Sequence, residues 1–294
     1  MTRSRATAIG FAAVLLWALL ALLAVGSAPV PPFLLNALTF AIGGSVGIAW
    51  ALASGNLGVL ARIPARVYAF GTVALFGYHA LYFSAMRMAP AAEASLIAYL
   101  WPLLIVLFSG LLPQERLTGA HVAGALIAFG GAALVVIRPG MALSGAALPG
   151  YLLAVLCAIT WAAYSVLSRR MGSVPTEAVA VFCLATAALS IPAHLLFEHT
   201  IWPRGTVGWL AVAGLGLGPV GLAFYVWDIG VKKGDIQLLG VASYAAPLLS
   251  TLALVLAGVA TATPRLVLAA SMITAGAALA AWASAGVSGK RAQA

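Results

Sequence analysis

Ile97-Ala98-Tyr99-Leu100-Trp101-Pro102-Leu103-Leu104 and Ala242-Ser243-Tyr244-Ala245-Ala246-Pro247-Leu248-Leu249 share a Tyr-x-x-Pro spacing, offset by 145 residues, each inside a long apolar run. That offset is about half of the 294-residue chain, so the simplest reading is one structural unit written twice. Each copy then carries a proline-interrupted membrane helix at the same place, and corresponding interrupted segments of two halves point to a transport site.

Composition outside these stretches fixes the solvent. Hydrophobic residues make up 64% of the chain and charged residues 7%, with a mean hydropathy of +1.10; soluble domains carry roughly 25% charged residues. The chain is an integral membrane protein. Its formal charge of +9 is scattered singly or in pairs between apolar runs, which argues against a nucleic-acid footprint. Cys157 and Cys183 lie in apolar segments without metal-ligand spacing, so neither a disulfide framework nor a zinc site is expected. No cofactor and no metal is implied.

A spanning helix needs about 20 mainly apolar residues. Ten segments meet this, near residues 6–26, 32–53, 67–86, 92–112, 119–137, 148–168, 177–197, 207–230, 236–260 and 264–287. The first is too long for the 7–15-residue core of a signal peptide and is kept as a helix. With ten spans both termini share one face. On it fall Arg3, Arg5, Arg62, Arg66, Arg116, Arg169, Arg170, Lys232, Lys233, Lys290 and Arg291, which is 11 cations, against 4 opposite: Arg87, Arg138, Arg204 and Arg265. The positive-inside rule places both ends in the cytoplasm, for a multi-pass protein of a bacterial inner membrane.

The duplication extends beyond the opening pair. Trp17 matches Trp161 at offset 144, Ala80-Leu81-Tyr82 matches Ala223-Phe224-Tyr225 at 143, and Gly131-Ala132-Ala133-Leu134 matches Gly276-Ala277-Ala278-Leu279 at 145. The expected units are residues 1–143 and 144–294. Five helices is an odd number, so the second copy enters the bilayer from the other side and the repeat is inverted. Such repeats make alternating access about a midplane site simple.

The five-plus-five arrangement, Trp17 and Trp161 in the first helix of each half, and Pro113-Gln114-Glu115-Arg116-Leu117-Thr118 before a glycine-rich helix resemble the EamA branch of the drug/metabolite transporter superfamily. Within it, Tyr99-Leu100-Trp101-Pro102 is similar to the YddG-type exporters of aromatic amino acids. The resemblance implies an all-α exporter of ten transmembrane helices as two inverted five-helix repeats. Thr261-Ala262-Thr263-Pro264 stands where the family often repeats its Glu-Arg-Leu-Thr element, which implies that the acidic turn is not needed twice.

Candidate site residues follow from chemistry in the spans. A helical proline frees the carbonyl four residues earlier: Ala98 for Pro102, Ser243 for Pro247, Leu215 for Pro219 and Ala188 for Pro192. Pro102, Pro247 and Pro219 are hinge candidates, with simple kinks as the alternative. Pro219 sits among Gly214, Gly216, Gly218 and Gly221, where close helix packing explains the glycines as well as bending does, as it does for Gly43-x-x-x-Gly47. The substrate-lining candidates are Trp17, Tyr78, His79, Tyr82, Tyr99, Trp101, Trp161, Tyr164, Tyr225 and Tyr244. Tyr78 and Tyr82, four apart, share a face of the third helix. Trp202, Trp209 and Trp282 are assigned to interface belts.

An aromatic lining accepts an apolar or aromatic side chain by burial and stacking, with tyrosine hydroxyls for the polar end. A substrate ammonium can sit over a ring by cation–π attraction of about 0.5–2 kcal/mol. A phosphate or nucleotide-sugar carrier would need several cations at mid-depth, and none occurs there. His79, the deepest ionisable residue, has two readings: a substrate or proton-relay group, or a histidine bonded to its surroundings. Asp228 and Lys232, four apart, suit a structural ion pair, while solvation and topology suffice for Arg87, Glu93, Glu115 and Arg116. His121, His194 and His199 receive no role.

The leading reading is a carrier exporting small amphipathic metabolites, aromatic or neutral amino acids first, with a lipophilic-cation multidrug exporter as the alternative. Its partners are the solute and the bilayer; one chain suffices as a functional monomer, and a dimer stays open. A membrane enzyme or photoreceptor is remote: no lysine lies between Gly258 and Trp282 for retinal, His-Glu-x-x-His is absent, and no Ser/His/Asp set shares a depth. A channel would require a pore-lining repeat, usually from several subunits.

Overall fold

The computed structural model describes residues 1–113, 115–137, 140–141, 143–258 and 261–292, with side chains as far as 286. Gln114, Arg138, the side chains of Lys290 and Arg291, and the last two residues of the expected span 236–260 lie outside the described residues.

The described chain forms ten helical rods: α1 (Arg3–Gly26), α2 (Pro32–Ala53), α3 (Ala65–Met88), α4 (Ala91–Ser109), α5 (Gly119–Val136), α6 (Gly145–Arg170), α7 (Ala178–Phe197), α8 (Gly205–Lys233), α9 (Ile236–Leu256) and α10 (Pro264–Ala292). Nine are long and apolar enough to cross a membrane among the described residues. The other, α3, has the length at 24 residues, but Tyr68, Tyr78, His79 and Tyr82 dilute its apolar run.

Helix starts follow local chemistry. Pro32 opens α2 from the first turn, where its missing donor costs nothing. Thr118 and His121 close a capping box on α5, and the Asp235 carboxylate caps α9 by accepting from the Leu238 amide at 2.9 Å.

The helix pairing reports the duplication directly. Shifting every helix number by five converts the α3·α6 pair into α8·α1, α4·α6 into α9·α1, α3·α7 into α8·α2 and α4·α5 into α9·α10, and all of these pairs are in contact. The pairs α2·α7, α4·α9 and α5·α10 map onto themselves. The contacts of the first five helices are thus repeated by the second five.

Several rods are interrupted. In α4 the two segments are Ala91–Ala98 and Trp101–Ser109, in α9 they are Ile236–Ala242 and Ala245–Leu256, and α8 carries a π turn over Gly218–Leu222. Pro102 and Pro247 stand in the first turn of the segment after each break, while Pro192 sits inside α7 without ending it. The expectation that Pro247 frees the Ser243 carbonyl is corrected: a tightened turn lets the Ala246 amide donate to it at 3.0 Å.

Candidate functional site

Four tryptophans from four helices meet near the centre: Trp17 on α1, Trp101 on α4, Trp161 on α6 and Trp227 on α8. All six pairs are in contact, with ring centroids 5.1 to 6.4 Å apart and mostly edge-to-face, the arrangement favoured by aromatic quadrupoles. The Trp227 indole N–H donates to Ser165 Oγ at 3.1 Å, and that of Trp17 to the Pro219 carbonyl at 3.1 Å. Trp17 thereby ties the cluster to the π turn of α8. Trp101 and Trp161 are buried, 6% and 3% exposed, and their indole N–H groups make no hydrogen bond among the described residues.

Beside this cluster lies a half-buried stretch of α3. From Phe76 to Ser84 of α3 every residue is half-buried, and from Ala74 to Met86 none is exposed. A helix turned wholly to lipid would alternate exposed and buried residues, and this stretch does not. Tyr78 and Tyr82 stack at 6.3 Å, and Tyr78 leans on Trp161 at 5.2 Å. Half-buried Tyr99 comes from the break in α4. Tyr78 and Tyr99 are half-buried, and their hydroxyls make no hydrogen bond among the described residues.

His79 sits in the wall against Phe40, with ring centroids 4.9 Å apart, and near Phe83 and Phe224. Its Nδ1 lies 2.8 Å from the Leu75 carbonyl one turn back. Since a carbonyl only accepts, Nδ1 carries the proton, and a neutral ring presents Nε2 as an acceptor. None of the ion pairs among the described residues involves a residue of the recess.

Three sequence candidates stand elsewhere. Tyr225 is 5% exposed; its hydroxyl donates to the Gly43 carbonyl at 3.0 Å, and its ring fills the space a Cβ at Gly47 would occupy. The Gly43-x-x-x-Gly47 spacing is thus explained by packing of α8 on α2. Tyr164 is buried behind Trp161 at 5.4 Å and stacks on Phe70. Tyr244 is fully buried, and its hydroxyl accepts from the Leu103 amide at 3.1 Å, so it braces the break in α4 from the opposite half.

The candidate lining read from the sequence omits Trp227, Phe40, Phe83 and Phe224. For Trp227 the available signal was its position two residues beyond Tyr225, on the opposite side of the same helix. The phenylalanines carry no local signal.

Below the indoles the face bearing the N-terminus is closed by charge. Arg3 reaches both Glu115 and Asp235 at 3.2 Å, and Arg169 bonds Glu115 and donates to the carbonyls of Val231 and Gly234 at 2.8 and 2.9 Å. Asp228 pairs with Lys232 at 2.8 Å, as its spacing suggests, and accepts from Thr176 at 2.7 Å. The surface reading of Glu115 and Glu93 is corrected, since both are buried. At the other face, Arg87 pairs with the enclosed carboxylate of Glu198 at 2.9 Å, and Glu198 also takes His194 Nδ1 and the Phe33 and Leu34 amides. Arg87 and His194 therefore have structural partners rather than solvent alone.

Comparison with known proteins agrees with this architecture. The model of the EamA-like transporter family matches residues 5–137 and again 148–284. The chain is 58% identical over 283 residues to the aromatic amino acid exporter YddG of Ancylobacter novellus, covering 95% of this chain and 98% of that one. The exporter of the same name from Salmonella typhimurium is 29% identical, over 85% of this chain and 88% of that protein. A crystal structure 56% identical in sequence superposes with a TM-score of 0.94, over 97% of this chain and 99% of the other.

Proposed function

This chain belongs to the EamA-like transporter family, and from that premise we propose that it exports aromatic and neutral amino acids across the bacterial inner membrane by alternating access through the aromatic recess. What supports the proposal is the aromatic cluster: an indole floor beside tyrosine hydroxyls and a histidine acceptor that make no hydrogen bond among the described residues, with none of the ion pairs among those residues in it.

Such a site suits a zwitterion with a flat apolar side chain. The ring of the substrate packs on Trp101, Trp161 and Tyr78. Its ammonium sits over an aromatic face or donates to His79 Nε2, and its carboxylate accepts from the free hydroxyls and indole N–H groups. Two exporters of aromatic amino acids among the relatives favour the same substrate class. The lining under this proposal comprises Trp17, Tyr78, His79, Tyr82, Tyr99, Trp101 and Trp161, with Trp227 added. Tyr164, Tyr225 and Tyr244 support it from behind.

The two moving units are residues 1–143 and 144–294, with both termini cytoplasmic and a single chain sufficient. The recess opens away from the termini. Toward the cytoplasm the path is shut by two layers, the four indoles and beneath them the Arg3, Glu115, Arg169 and Asp235 network. Inward opening separates these layers, with Pro102, Pro247 and the Pro219 turn taking up the bending.

Counterflow in proteoliposomes with labelled aromatic amino acids, lipophilic cations and nucleotide sugars tests the proposal. Exchange of aromatic amino acids, weakened in Tyr82→Ala and Tyr99→Ala, is the expected result. Exchange of cations alone would make the chain a drug exporter, and catalytic turnover without exchange would remove the carrier reading.

A further inference from the structure

Between α3 and α6, on the outer surface of the bundle, runs an apolar groove of about 450 Å³ lined by Arg66, Ala69, Phe70, Val73, Ala74, Thr160, Ala163 and Tyr164. Its length is set by α3. From Arg66 to Ala74 the helix rises about 12 Å at 1.5 Å per residue, close to the roughly 15 Å depth of one hydrocarbon leaflet. Its charge is one-sided. Arg66 stands exposed at the mouth and makes no side-chain hydrogen bond or ion pair among the described residues, and no acidic residue lines the groove.

We infer that this groove holds one anionic phospholipid of the leaflet on the terminal side, its phosphate on Arg66 and an acyl chain along Phe70, Val73 and Thr160. A basic mouth above an apolar slot between membrane helices is the combination that selects anionic headgroups, whereas a free phosphate would find no use for the slot. The position is also significant for transport. The back wall is the stacked pair Phe70 and Tyr164, with centroids 5.7 Å apart, and Tyr164 lies 5.4 Å from Trp161. The lipid chain therefore bears on the indole floor through a single ring, so its presence or loss is felt by the layer that closes the recess.

The test is lipid retention by the purified full-length chain, read by native mass spectrometry after adding phosphatidylglycerol or phosphatidylcholine with identical acyl chains. Phosphatidylglycerol should be retained about five-fold more, the effect of one interfacial arginine, and Arg66→Gln should reduce the two to parity. Val73→Phe, at a position already exposed to lipid, should narrow the slot and lower retention of both lipids. Equal retention by the wild type, or an undiminished preference in Arg66→Gln, would overturn the inference. Because the readout is binding, it stands or falls separately from the substrate assigned to the recess.

Discussion

Tyr99 and Tyr244 hold equivalent places in two copies of one unit, and the chain uses them in opposite ways. At the break in α9, Tyr244 is buried and its hydroxyl is committed to the Leu103 amide of α4. At the break in α4, Tyr99 is half-buried and its hydroxyl makes no hydrogen bond among the described residues. Two positions on, Trp101 joins the indole floor where its counterpart Ala246 is a small buried residue. The repeat thus supplies a symmetric frame, and individual side chains divide the work: the second copy braces the crossing and the first joins the aromatic cluster.

Substitution at these paired sites breaks or sharpens the contrast. The largest effect is expected at Trp101. Removing its ring from the floor in Trp101→Ala should lower stability by about 3–5 kcal/mol and abolish detectable counterflow, whereas Ala246→Gly should cost only about 1 kcal/mol; thermal unfolding in detergent compares them. Next is Tyr244→Phe, which leaves the Leu103 amide without its acceptor and should destabilise by about 1–3 kcal/mol. Tyr99→Phe, losing no internal bond, should unfold within about 0.5 kcal/mol of wild type. Equal losses in the two tyrosine variants would dissolve the distinction.

The charged layer joins the same two helices, since Arg3 bridges Glu115 beyond α4 and Asp235 before α9. Glu115→Gln leaves Arg3 and Arg169 with weaker partners and should favour the inward-open form. A cysteine placed at buried Ser165, with Cys157 and Cys183 replaced by Ala, should then be labelled several-fold faster by an aqueous thiol reagent. An unchanged rate would show that the indoles alone hold this face shut.

Much of the frame was legible in the sequence. Ten apolar runs and the Tyr-x-x-Pro repeat specify rods and their inversion, because bilayer thickness and an odd helix count leave little freedom. What each tyrosine faces was not legible. Where polar and apolar residues are mixed around a membrane helix, periodicity does not mark an inner side, so Tyr82 and Tyr225 read alike although one stacks on Tyr78 and the other packs on Gly43. Glu115 was read as solvated because its sequence neighbour is Arg116, while its partners Arg3 and Arg169 come from 112 and 54 residues away. Long-range charge pairing is set by the helix arrangement and has no local signature.

The assignment of the recess as the transport site is tested most directly by the concentration dependence of labelled phenylalanine counterflow in Tyr99→Phe, reconstituted beside wild type at equal folded protein. Loss of one hydroxyl that meets substrate should raise KM about three- to tenfold with little change in stability, as the net worth of one hydrogen bond implies. A wild-type KM in Tyr99→Phe would contradict the account.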